Sequence, residues 1–88
     1  MTPELEVLDQ LLGGDLPVNV IAGLFSDSGR CRKAIRAMLH QGEILLLDPS
    51  ESPLSFWRHR ELLSKDDFWS EGTLYRLSIT EIGVKRIT

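Results

Sequence analysis

Eighty-eight residues with 42% hydrophobic and 26% charged content describe a chain that folds rather than stays disordered, with little room for a deep catalytic cleft. A formal net charge of −3, a single cysteine and the lack of any apolar run near the roughly 20 residues of a membrane span exclude an internal disulfide and a transmembrane helix. The opening MTPELEVLDQ has neither the basic start nor the apolar stretch of a secretory signal, so a cytoplasmic location is expected.

Thr2-Pro3-Glu4 starts the first predicted helix, because a threonine hydroxyl can cap an orphan N–H and proline is pre-set for the first helical position. Leu5, Leu8, Leu11 and Leu12 recur at helical spacing until Gly13-Gly14 ends the run. Leu16-Pro17-Val18 suits a short extended piece, and Asn19 is the expected cap of a second helix carrying Val20, Ile21, Leu24 and Phe25. Ser26-Asp27-Ser28-Gly29 breaks the chain before a third helix over 29–41, which Gly42 stops. Residues 43–47 read as a short buried strand, and residues 73–79 alternate like a half-buried one. Thr80 then caps a last helix with Ile82, Val84 and Ile87. Between the strands lie residues 48–72, where a helix from Ser52-Pro53 through Leu63 is preferred, although SFWRHREL also alternates as a strand does.

Charge is distributed unevenly along this order. Residues 1–27 hold Glu4, Glu6, Asp9, Asp15 and Asp27 with no base, whereas residues 28–42 hold Arg30, Arg32, Lys33 and Arg36 with no acid. At 100° per residue, Cys31, Ala34, Ile35, Met38 and Leu39 fall on one side of the third helix. Lys33, Arg36 and His40 fall on the other, with Arg32 and Arg30 at its margins. A generic solvated face mixes signs to limit self-repulsion, so a stripe of one sign points to a polyanionic partner.

Two stretches carry a family likeness. Ile35-x-x-Met38-x-x-x-Gly42-Glu43-Ile44 is similar to a recognition helix running into a first wing strand, and Leu74-Tyr75-Arg76-Leu77 followed by Thr80-Glu81-Ile82-Gly83 is similar to a last strand turning into a final helix. With three helices, two strands and a basic third helix, the chain resembles the winged helix-turn-helix family of DNA-binding domains. That resemblance implies an α+β fold over residues 1–88 as one domain, with a three-helix core, a two-stranded wing with a long insert at about 48–72, and a short C-terminal helix. It places Val20, Leu24 and Cys31 in the core. Ser26-Asp27 stands where the family usually has a turn glycine, and the wing is far longer than usual.

The function implied is sequence-specific binding of double-stranded DNA by a transcriptional regulator, with helix 29–41 in the major groove. Ser28, Arg30, Arg32, Lys33, Arg36 and His40 are the expected contacts there, since arginine bonds guanine O6 and N7 in bidentate fashion and N–H groups at a helix start can receive a phosphate. Arg58 and Arg60 in FWRHR are expected to reach the backbone or the minor groove from the insert. All of this requires the guanidinium groups to be clear of the chain's own carboxylates and uncovered by the insert. The alternative is a protein-interaction module without nucleic-acid binding, in which Trp57, Phe68 and Trp69 of the insert meet a partner protein or a second copy of the chain.

An enzyme is not expected, and neither is a cofactor or a metal. Cys31 and His40 lie nine positions apart on one helix and point in opposite directions, and Asp66-Asp67 lacks the spaced ligands of a calcium site. No nucleophile motif or glycine-rich phosphate loop occurs.

Overall fold

The computed structural model describes residues 2–70 and 74–88, without the side chains of Phe56 and Trp57. The first helix, α1 (Pro3–Leu11), begins as its sequence dictates, with the Thr2 hydroxyl accepting from the Leu5 N–H at 3.3 Å. Val7, Leu8 and Leu11 form its buried stripe. A turn through Gly14, at φ 134°, leads into β1 (Leu16–Pro17).

The second helix, α2 (Val18–Ala22), starts earlier than expected, with Pro17 rather than Asn19 at the cap position. The cause is non-local: the Val18 N–H donates to the Tyr75 carbonyl at 3.1 Å, which fixes Val18 as the first helical residue. Val18 and Ile21 are then buried and Val20 turns to solvent at 47% exposure, which corrects its expected place in the core. Of the other two residues expected there, Cys31 is buried and Leu24 is half-buried.

The third helix, α3 (Ser28–His40), buries Cys31, Ala34, Ile35, Met38 and Leu39. Gly42, at φ 76°, takes the left-handed conformation that ends a helix and admits β2 (Ile44–Leu47). Ser52-Pro53 does not start a helix. The Asp48 carboxylate accepts from the Ser50 and Ser52 N–H groups at 2.9 and 3.0 Å, and the chain folds back so that the Leu54 N–H meets the Leu46 carbonyl at 2.9 Å. Only then does α4 (Phe56–Leu63) begin, followed by a 3-10 turn over Asp66–Trp69.

The last strand, β3 (Arg76–Ile79), is shorter than the expected 73–79, and position 73 lies outside the described residues. Thr80 caps α5 (Glu81–Ile87) by accepting from the Gly83 N–H at 3.2 Å. The sheet is antiparallel in the order β1-β3-β2, with Leu77 opposite both Leu16 and Leu46. It therefore has three strands where two were expected, because the Leu16-Pro17 piece pairs with β3. Proline is tolerated there since β1 lies at the edge.

The architecture is α+β, with five α-helices and a three-stranded antiparallel sheet among the described residues. Leu8, Ile21, Ile35, Met38, Ile44, Leu46 and Leu77 are fully buried in one cluster, which Leu62, Leu63 and Phe68 also join. The stretch over residues 48–70 is thus built into the core and positions α4 beside α3.

Candidate nucleic-acid interface

The basic stripe of α3 survives folding in part. Arg30, Lys33, Arg36 and His40 are exposed, on the side of the helix opposite its buried residues. Arg30, Lys33 and Arg36 make no ion pair among the described residues. These three positions meet the requirement that a DNA-reading helix keep its charge clear of the chain's own acids.

Arg32 does not. Its Nη2 lies 2.7 Å from an Asp66 carboxylate oxygen, its guanidinium carbon sits 5.8 Å from the centroid of the Trp69 ring, and its side chain keeps 31% exposure. Trp69 is held in turn by its indole N–H donating to the Leu63 carbonyl at 3.0 Å and by an edge-on contact with Phe68 at 5.2 Å. Asp66 is 95% exposed, so the ion pair contributes only about 0.2–1 kcal/mol, and the ring contact a similar amount. Arg32 ties α3 to the 3-10 turn instead of presenting a fork to a base.

The start of α3 departs from expectation as well. Asp27 is the cap, with its carboxylate accepting from the Gly29 N–H at 2.8 Å, and Ser28 is the first helical residue. An orphan N–H that a phosphate would use is filled, and a negative charge stands beside it. Ser28 is exposed at that end and is poorly placed for an anion.

The two expected contacts of α4 separate. Two positions apart on a helix means about 160° around its axis, so Arg58 and Arg60 point to opposite margins. Arg60 joins Arg32, Lys33 and Arg36 around a groove of about 320 Å³ between α3 and α4, completed by Leu63 and Ser64. Among the described residues, none of those lining it is a carboxylate. Arg58 acts on the other side, where its charge helps hold the Asp48 carboxyl below the usual range behind the larger effect of the Ser52 and Ser50 hydrogen bonds. His59, between them, donates its Nε2–H to the Leu54 carbonyl at 3.2 Å, and burial pushes its pKa down, which favours the neutral ring.

Of the three aromatics expected to face a partner protein, Phe68 is buried and Trp69 is half-buried against Arg32. The Trp57 side chain lies outside the described residues. Cys31 is buried and its thiol is pushed up to about 11 by burial, which keeps it protonated. Among the described residues no group of three or more His, Cys, Asp or Glu could hold a metal ion, and no helix is long and apolar enough to cross a membrane.

Sequence reasoning missed Asp66 and Trp69 as partners of α3. A signal was present: residues 66–72 carry Asp66, Asp67 and Glu71 with no base, opposite in sign to the stripe on 28–42. No family model, curated protein or solved structure matches this chain.

Proposed function

We propose that the protein binds double-stranded DNA sequence-specifically, as a small transcriptional regulator of the winged helix-turn-helix type, with α3 in the major groove. The observation that carries this reading is the stripe of one sign on α3, formed by Arg30, Lys33 and Arg36, which are exposed and make no ion pair among the described residues, on a chain of net charge −3. Arg36, in the middle of the open face, is the base reader, while Arg30 and Lys33 reach the flanking backbone. Arg32 is excluded from base contact by Asp66 and Trp69. The element order α1-β1-α2-α3-β2-β3-α5, with α4 and the 3-10 turn inserted between the last two strands, supports the winged form. A cytoplasmic site of action goes with this role. The protein-contact alternative loses ground because Phe68 and Trp69 are committed to the chain's own packing.

The test is DNA affinity measured by fluorescence anisotropy across a salt series. The logarithm of the association constant should fall linearly with the logarithm of salt, by about 0.9 per neutralised phosphate. Arg36→Ala should cost about 1–3 kcal/mol on the preferred site and relax preference at one base pair. Affinity that ignores salt, or a preference untouched by Arg36→Ala, would refute the assignment.

A further inference from the structure

We infer that α4 is a phosphate clamp: the groove between α3 and α4 seats one phosphodiester of the DNA backbone, held by Arg60 from one wall and Lys33 from the other. The inference rests on the DNA reading of α3 and deepens it. Its basis is dimensional. The major groove is about 12 Å wide, and a helix with its side chains is about 10–12 Å across, so a single helix fills it. Packed helices lie about 8–10 Å apart, so a helix docked on the flank of α3 has no space in the same groove and meets the ridge of phosphates beside it. In this protein that helix is α4.

The chemistry of the groove matches that position. Three of its cations come from α3 and the fourth, Arg60, from α4, and the two helices are separate in sequence, so the convergence is created by the fold. Of the nearby acids, Glu61 pairs with Lys65 at 3.6 Å, whereas Asp66 pairs at 2.7 Å with Arg32 of the groove itself; Lys33, Arg36 and Arg60 make no ion pair among the described residues. The Ser64 hydroxyl donates to the Glu61 carbonyl at 2.7 Å, which leaves Arg60 as the donor of that wall. Arg32 is paired with Asp66, and Leu63 adds an apolar side chain to the lining. A phosphodiester carries one negative charge and no sequence information, so Arg60 adds affinity without adding specificity.

The experiment compares the intact protein with Arg60→Ala, Arg60→Lys and Arg58→Ala on a preferred and a scrambled DNA duplex over a salt series, with far-UV circular dichroism to confirm that each variant is folded. Arg60→Ala should weaken both duplexes by the same factor, about three- to tenfold, and reduce the salt slope by about one. Arg60→Lys should restore the slope, and Arg58→Ala, on the far margin of α4, should change neither quantity. A methylphosphonate duplex with one neutral backbone position beside the α3 site should weaken binding by the parent and leave Arg60→Ala unaffected. Salt-dependent binding by the parent that Arg60→Ala leaves intact, or an Arg60→Ala effect confined to one base pair, overturns the clamp while sparing the DNA reading. A parent that shows no salt-dependent DNA binding overturns both.

Discussion

Glu43 is a charged residue in the core, with 3% of its surface exposed, and its carboxylate receives Arg86 Nη1 at 2.7 Å on both oxygens. The carboxylate in return raises the Arg86 pKa above its ordinary value. This pair joins the start of β2 to the end of α5. The junction is reinforced where the Thr80 hydroxyl donates to the Gly42 carbonyl, and where Gly83 approaches so closely that an added Cβ would sit 2.3 Å from the Glu43 carbonyl oxygen. Removing the cation strands a buried carboxylate, which is worse than removing both charges. Arg86→Ala should therefore lower stability by about 2–3 kcal/mol, below the range for fully buried pairs because the arginine side chain is 38% exposed. The double variant Glu43→Leu with Arg86→Ala should recover part of that loss. Urea denaturation midpoints decide the matter, and equal losses in the single and double variants would show that the junction depends on packing rather than on the pair.

The 3-10 turn Asp66–Trp69 reaches α3 through an ion pair and an aromatic ring, and the two are not equal. Asp66 is almost fully exposed, whereas Trp69 touches Phe68 and Arg32 and has its indole N–H bonded to the Leu63 carbonyl. Asp66→Asn should cost under about 1 kcal/mol and Trp69→Ala about 2–3 kcal/mol, read as shifts in thermal midpoint. The reverse order would make the ion pair the fastening element. This is also the scale at which sequence and structure part company. The elements whose signals are local, α1 with Thr2 and Pro3, α3 with its apolar stripe and α5 with Thr80, were legible in sequence. Positions set by partners far along the chain were not: the start of α2 follows from Tyr75, the path of residues 52–54 from Leu46, and the orientation of Arg32 from Asp66, 34 positions away. For the same reason the interface was half legible. Helical spacing identifies a stripe of cations, but only the packing of the 3-10 turn shows which member of the stripe is covered, and only that of α4 shows which residue of FWRHR joins it.

Across the whole molecule, the 48–72 segment is long enough to look like an appendage on a small domain, and its contribution to the core decides otherwise. Leu62, Leu63 and Phe68 are each less than 8% exposed and belong to the same cluster as Leu8 of α1, Ile35 of α3 and Leu77 of β3. A chain of this size has little buried surface to divide, so losing those three side chains would leave the remainder near the limit of independent folding. The segment should therefore unfold together with the rest. The chain offers a direct check, because both of its tryptophans, Trp57 and Trp69, lie within 48–72, whereas most of the helix that dominates the far-UV signal lies in α1, α3 and α5. Tryptophan fluorescence and far-UV circular dichroism should give one midpoint and one slope in urea. A fluorescence transition that precedes the loss of helix would mean that the segment opens while the core stands. In that case Arg60 would not be held against α3, and the groove between the two helices would form only when α4 is docked.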